Sequence, residues 1–446
     1  MKKYIFLFFL SVINPVGLQT VFAQEQKTDS IWSLQKCISY ALEHNISVQK
    51  LALTSETNKV YTEQVKASRN PSLSASVGQS FSWNRPLNNE LEYGKYSGYN
   101  NTNVEINSNV TLYNANKINN TIKQSILTFQ AGEYDTQTQK ESISLNILSA
   151  YLQVLYDEEQ VKNSQQQIES LSQQLALAEA RMKLGAISKS DYLQVKSELA
   201  SEKQTLAENE GQLSTDRVSL MQLMEFPVSD VFEIAHPDFT ANIIQKRLVD
   251  AKSLYDTSLV IKPQIKSAEL NQKVAEIGVD IAKANQYPTL SLSGSLGSGY
   301  NNSTPLSYGY QMGNKISPSI GLTLSIPISQ NKEISSKIQT AMIQTKQAEL
   351  TTENTKNALR KSIEQACVDV TSATKKYEAS NESYNAALES SQVAAEKYAQ
   401  SLINSTDYLV QKTNLIKAEN QLLQSKYNLI FSYKTLDFYL GKPLAL

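Results

Sequence analysis

The chain repeats itself at long range. Ile147, Val154, Val161, Ile168, Leu175 and Met182 form a seven-residue apolar ladder. A shift of 216 residues carries it onto Ile363, Val370, Tyr377, Tyr384, Ser391 and Tyr398, with one polar rung. The same shift takes Asp191-Tyr192-Leu193 onto Asp407-Tyr408-Leu409 and Pro227 onto Pro443. This is one large duplication rather than a short solenoid period, so two copies of a long unit must pack together. A strict seven-residue apolar repeat implies helices lying side by side with a left-handed supercoil.

Punctuation sets the helix lengths. No Pro occurs from Leu87 to Phe226, and neither Pro nor Gly occurs from Ile328 to Leu440. These stretches are rich in residues that favour or tolerate helix. Helices over Asn116–Leu184 and Asn331–Gln400 would each be about 100 Å long at about 1.5 Å per residue. Ala150, Ala178, Ala366, Ala373, Ala387 and Ala394, three residues after rungs of the ladder, would let neighbouring helices approach closely. Shorter returning helices are expected over Asp191–Glu225 and Asp407–Leu440, and leading helical stretches over Ile31–Arg69 and Leu259–Tyr287.

Each copy also holds two runs of period two. Leu73, Ala75, Val77, Phe81 and Trp83 alternate with serines, and Val104, Ile106, Val110 and Leu112 alternate with Glu105, Asn107, Asn109 and Thr111. In the second copy Leu290, Leu292 and Leu296 alternate with serines, then Ile320, Leu322, Leu324 and Ile326 with Ser319, Gly321, Thr323 and Ser325. Such strands have one apolar and one polar face, at the length a tilted membrane strand needs. A half-buried sheet of a soluble domain has the same pattern, but the neighbouring helices use their apolar stripes on one another. Four strands cannot close a membrane barrel, because the smallest have about eight. A lipid-facing reading therefore requires a barrel shared between chains, with 8 strands from two chains or 12 from three. Pro318 is out of place in a ladder, so the fourth strand is expected to start after it or to bulge.

The N-terminus reads as a signal peptide over 1–23: Lys2 and Lys3, an apolar stretch from Tyr4 to Ile13, and Val21-Phe22-Ala23 before the cleavage point. No Cys follows that point, so no lipid anchor is expected there. Without Lys2 and Lys3 the formal charge moves from −1 to −3, too balanced to suggest nucleic acid. Cys37 and Cys367 do not make a disulfide framework and read as small buried hydrophobes. His44 and His236 lack metal-ligand spacing. No nucleophile grouping, P-loop or dinucleotide fingerprint appears. No enzyme, cofactor or metal is expected. The division is 24–227 for the first repeat, 228–258 for an inter-repeat equatorial segment and 259–446 for the second repeat. Strands are expected near 71–83, 103–114, 288–300 and 316–328.

The helix-to-helix turns carry a specific resemblance. The run Arg181-Met182-Lys183-Leu184-Gly185-Ala186-Ile187-Ser188-Lys189-Ser190-Asp191-Tyr192-Leu193 resembles the R-x-x-x-G-x-x-S-x-x-D-x-L turn of the TolC-like outer membrane factor family. The second copy keeps Tyr398, Asn404, Asp407 and Leu409 but has Ser401 where Gly is usual. Leu112-Tyr113-Asn114, Pro327-Ile328-Ser329 and Leu440-Gly441-Lys442-Pro443 are similar to the family's strand exits and closing motif. The resemblance covers nearly all of the mature chain. It implies an α+β membrane protein: a homotrimer with a shared 12-stranded β-barrel in outer membrane lipid and a long periplasmic coiled-coil tunnel. It also implies a periplasmic adaptor and an inner-membrane pump as partners of a passive efflux duct.

By the same resemblance the second-repeat turn lines the periplasmic mouth. Asp407 and Tyr398 are then gate candidates, Asp191 lies in the first-repeat turn, and Arg181, Gly185, Ser188 and Asn404 belong to the turn motif. Val410 falls where a second acidic ring would stand, which puts a two-ring gate in doubt. From the residues alone, Asp191 and Asp407 are equally candidates for helix N-caps. Two other functions fit parts of the pattern: the exit channel of a type I protein secretion system, and a surface structural or adhesive coiled-coil protein.

Overall fold

The computed structural model describes residues 31–85, 93–228, 232–237, 239, 250–400 and 402–446. The expected signal peptide at 1–23, Ser401 and part of the expected inter-repeat segment lie outside the described residues. The elements run in chain order: β1 (Ile31–Trp32), α1 (Leu34–His44), α2 (Ile46–Ala67), β2 (Ser72–Asn84), β3 (Ser97–Tyr113), α3 (Lys117–Lys183) and α4 (Lys189–Leu223). Then follow β4 (Glu233–Ile234), α5 (Ala251–Ile261), α6 (Pro263–Ala284), β5 (Thr289–Asn301), α7 (Tyr308–Asn314), β6 (Ser317–Ser325), α8 (Glu333–Ala399) and α9 (Ser405–Tyr439). The duplication is kept in the helix lengths: 11, 22, 67 and 35 residues in each copy.

The copies also agree in their joints. Each long helix starts after two consecutive left-handed residues, Ala115 and Asn116 in one copy and Asn331 and Lys332 in the other. This turns the chain sharply out of the strand, at some local strain where the residue is not Asn. Helices α4 and α9 both end in a left-handed residue, Glu225 at φ 56° and Gly441 at φ 72°. Phe226 N donates to Met221 O at 2.8 Å and Lys442 N to Asp437 O at 2.9 Å, the closing bond of a Schellman motif.

Two expectations need correction. The leading helical stretch of each copy is broken in two, at Asn45 and at Lys262. Asn45 caps α2 by accepting from Ser47 N and Val48 N, and its amide donates to Leu223 O at the end of α4. Lys262 instead places its ammonium on Phe438 O (2.8 Å) and Glu141 (3.1 Å), where the charge meets the carbonyl end of α9. The break thus ties the start of each repeat to its last helix, and the second repeat already begins at α5, before residue 259. Second, β3 starts at Ser97 rather than near 103, and β6 ends at Ser325 rather than near 328. β6 runs through Pro318, which pairs with Leu296 without a register shift. An edge strand tolerates this Pro, as its second residue, better than a central strand would.

The four long strands form one antiparallel sheet in the order β2-β3-β5-β6. Its register lines up like with like. Ala75, Ile106, Leu296 and Pro318 form one row; Ser74, Asn107, Ser295 and Ser319 form the next. A bulge falls between Thr111 and Tyr113. The apolar face is uncovered in the chain: Leu73 is 77% exposed, Val77 75% and Ile320 85%. The hydroxyl face is bonded within itself, as at Ser295–Ser319 (2.8 Å). β2 and β6 are left as open edges, so one chain does not close a barrel.

Helix α2 packs on α3, α6 fits between α3 and α8, and α3–α4 and α8–α9 form two long hairpins. The largest core gathers around Trp32, where the rings of Tyr40, Phe226 and Phe232 lie 5.0 to 5.7 Å away. Here β1 pairs in parallel with β4, and the buried Tyr151 hydroxyl reaches the carbonyls of Trp32 and Ala235. Cys37 lies in this core, where burial pushes its thiol up to about 12; Cys367 is only partly covered, and both are free. The ladder is buried at Ile147, Val154, Ile363 and Val370 but only partly covered farther along α3, from Val161 onward. There the companion row, Ser164, Leu171 and Ala178, makes the dry seam with α4. Ser164 and Ala178 are small enough to let the backbones close up there. Among the described residues no helix is long and apolar enough to cross a membrane.

Candidate functional site

The two hairpin turns, far apart in sequence, are brought side by side. α3 ends at Leu184, and Gly185 follows with φ 72°, a left-handed position that suits Gly. Ala186 N donates to Arg181 O and Gly185 N to Met182 O, so Arg181 and Gly185 build the Schellman stop. Ser188 is the N-cap of α4. Its Oγ accepts from Asp191 N at 3.1 Å, and Ser188 N donates back to Asp191 Oδ2 at 3.2 Å. In the second turn Leu402 N closes onto Lys397 O, and Asn404 caps α9 by accepting from Asp407 N at 2.8 Å.

The caps are therefore Ser188 and Asn404, not the aspartates. Asp191 and Asp407 both stand three residues later, yet their carboxylates differ. Asp191 is consumed by the protein: Ser188 Oγ donates to Oδ2 at 2.8 Å and Ser405 Oγ to Oδ1 at 2.5 Å. The hydroxyls of Ser405 and Ser188 hold its carboxyl below the usual carboxylate range. Asp407 is exposed, and its carboxylate accepts no hydrogen bond among the described residues. It opens onto a groove between α8 and α9 lined by Glu389, Val393, Lys397, Val410 and Gln411.

Tyr398 does not stand free. Its ring stacks on Tyr408 with centroids 4.9 Å apart and planes 9° from parallel, and the Arg181 guanidinium lies 5.6 Å from it. Arg181 also donates to Ala399 O at 3.3 Å, so the first-repeat turn grips the second. Tyr408 accepts at its hydroxyl from Gln174 at 2.8 Å, and Lys412 donates to Ser170 Oγ at 2.7 Å. Thr406 adds a bond to Gln194 at 3.1 Å. Burial pulls the Lys412 ammonium down to about 8, against the opposing pull of Glu202 and Glu198. Ser405, Lys412, Gln174 and Ser170 were not among the residues the sequence singled out, and Tyr408 entered only through the duplication. The spacing 405, 408, 412 along one face of α9 was the signal for them.

Among the described residues no group of three His, Cys, Asp or Glu side chains is placed to hold a metal ion. His44 stacks on Tyr40, and His236 lies 3.3 Å from Glu158, far along the chain.

The family model of outer membrane efflux proteins matches residues 37–224 and 254–442, one match to each repeat. The chain belongs to the outer membrane efflux protein family. Among curated relatives, the pyoverdine export outer membrane protein OpmQ of Pseudomonas putida is 28% identical over 176 residues, 39% of this chain and 36% of that protein. OpmQ of Pseudomonas aeruginosa is 27% identical over 179 residues, 40% and 37% of the two chains. These matches span little more than a third of the relatives' length. Solved structures agree over the whole fold. CusC, studied for transmembrane channel formation, superposes with TM-score 0.80 at 16% identity, covering 92% of each chain. The Campylobacter jejuni CmeC outer membrane channel gives 0.79 at 19%, covering 92% of this chain and 85% of that one. The open Neisseria gonorrhoeae MtrE channel gives 0.74 at 17%, covering 92% and 89%. The protein thus has the fold of outer membrane channels, and its family places it in that membrane.

Proposed function

We propose that three copies assemble into a passive exit duct of a tripartite efflux system, coupled through a periplasmic adaptor to an inner-membrane pump. The observation that carries this reading is the sheet: four strands, one apolar and one hydroxyl face, and open edges at β2 and β6. Open edges invite pairing with another chain, and only a closed barrel leaves no backbone group unsatisfied in lipid. Three chains give twelve strands and a ring of hairpins continuing as a tunnel below. The apolar face then meets lipid and the serine face meets water. Relatives named for pyoverdine export favour efflux over protein secretion.

Within that assembly Asp407 is the gate residue and Asp191 is a brace. Three free Asp407 carboxylates around one axis attract cations and repel anions at low salt. In planar bilayers the isolated protein gives a small cation-selective conductance. Asp407→Asn weakens the selectivity and leaves the trimer intact, while Asp191→Asn changes selectivity less. Unchanged selectivity and unchanged block by multivalent cations in a folded Asp407→Asn trimer would place the constriction elsewhere.

A further inference from the structure

One polar pair in the helical part has no role in the gate or the barrel. Asp157 lies on α3 in the dry row that also holds Ser164, Leu171 and Ala178, and is only 4% exposed. Its Oδ1 accepts from Gln153 at 3.0 Å, four residues back on its own helix. Across the seam Asp216, half-buried on α4, is served the same way: its Oδ2 accepts from Gln212 at 2.9 Å. Each helix thus supplies one glutamine donor to its own aspartate. No donor reaches Asp157 Oδ2, an atom sealed from solvent. A buried carboxylate oxygen with no donor is costly, and the α3–α4 register set by Asn209 donating to Ser164 Oγ at 3.0 Å, one heptad away on both helices, brings it against the Asp216 carboxyl.

The surrounding charges do not solve the problem. Arg217 of α4, next to Asp216, turns one terminal nitrogen of its guanidinium to Glu158 at 2.6 Å, and its buried Nε reaches neither aspartate. His236, just after β4, also approaches Glu158, at 3.3 Å. Lys426 of α9 lies on Glu159, and Lys36 of α1 over the Trp32 ring. Glu158 adds a further negative charge beside Asp157. Two facing carboxyls, with no cation between them among the described residues, are satisfied when one carries a proton and donates it to the other. The second repeat has no such pair, because Ala373 and Ser432 stand at the corresponding positions.

We propose that Asp157 and Asp216 share one proton and form a pH-sensitive clasp between α3 and α4, at the level where this hairpin leaves the core around Trp32. With the proton in place the seam is closed by a carboxyl–carboxylate hydrogen bond. Its loss puts two like charges across the seam and loosens the first-repeat hairpin, whose far end carries Asp191. Burial, followed by the hydrogen bond and the charge of Asp216, raises Asp157 from 3.8 to about 7. A raised carboxyl favours the folded state below its unfolded value, and that advantage is lost as pH climbs through the folded value. The clasp therefore works within the range of ordinary environmental pH.

The test uses the assembled protein in detergent or lipid. Infrared difference spectra between about pH 5 and about pH 9 report protonated carboxyl groups, and thermal unfolding over the same range reports their effect on stability. The wild type shows a protonated-acid carbonyl band that disappears on going to alkaline pH. Its unfolding midpoint falls by about 3 °C or more over that range. Asp157→Asn, which keeps shape and a donor, lacks that band component and has a flatter midpoint profile. Asp216→Asn flattens the profile as well, and serves if the first variant does not assemble. Absence of the band in the wild type would overturn the proposal, as would survival of both the band and the slope in the variants.

Discussion

Ser405 Oγ donates to Asp191 Oδ1 across 2.5 Å, so the tip of one helical hairpin is held by the tip of the other. Ser405 is buried, and Thr406, Tyr408 and Lys412 continue the grip on Gln194, Gln174 and Ser170. The first turns of α9 cannot splay from α3 and α4 without breaking these bonds. The hairpin that presents Asp407 is thereby braced.

Removing the brace should ease opening. Ser405→Ala leaves a carboxylate without one donor, a local loss of about 1–2 kcal/mol. Single-channel conductance is expected to rise with little change in overall unfolding temperature. Asp191→Asn should act in the same direction. Because the Asp191 carboxyl is held below its ordinary value, its contribution is present above the unfolded carboxylate range and is lost as pH falls through the lowered value. Wild-type conductance should therefore resist mild acid and rise only in stronger acid, a step the Asn variant lacks.

The dry seam between α3 and α4 should be stability-limiting. Leu171 is 1% exposed there. Leu171→Ala removes a fully buried side chain at a cost of about 2–5 kcal/mol. Thermal unfolding of the assembled protein should show a clear drop. An unchanged midpoint would mean that this seam contributes nothing to the transition being measured.

Lys412 offers a pH test of its own. The unfolded lysine holds its proton up to about 10.5, and the buried one only to about 8. The folded state is thus penalised below about 8 and gains stability as pH rises from there toward 10.5. Lys412→Met removes the buried charge. Unfolding midpoints across that alkaline window should lose their rise, with stability near neutral pH unchanged or raised.

Gln311 is the buried anchor of the loop between β5 and β6. Gln311 in α7 is 4% exposed; its amide accepts from Asn301 N and donates to the carbonyls of Asn301 and Leu306. Gln311→Ala should free this loop, with several-fold faster cleavage by external protease and no shift in the main unfolding transition.

Much of this architecture was legible because it rests on periodicity. The seven-residue ladder gave both long helices, and the alternation of Leu73 to Trp83 gave a strand with one apolar face. What escaped was decided by tertiary contacts. The breaks at Asn45 and Lys262 are fixed by the carbonyl ends of α4 and α9, which sequence distance hides. The row through Leu171 was read only as a place of close approach, at Ala150 and Ala178, because the more apolar row beside it dominated the pattern. At the turns, aspartate looked like the capping residue, but Ser188 and Asn404 lie three residues earlier and take the first free N–H groups. The roles of Asp191 and Asp407 then separate only in space, since Ser405 reaches the carboxylate of one and no donor among the described residues reaches that of the other.

The shared barrel is the centre of the account, and its most direct test is the mass of the purified protein in mild detergent, corrected for bound detergent. Four strands with open edges at β2 and β6 require a barrel shared between chains, and the proposed trimer puts the protein mass at three mature chains. A stable monomer that stays soluble without detergent would contradict it.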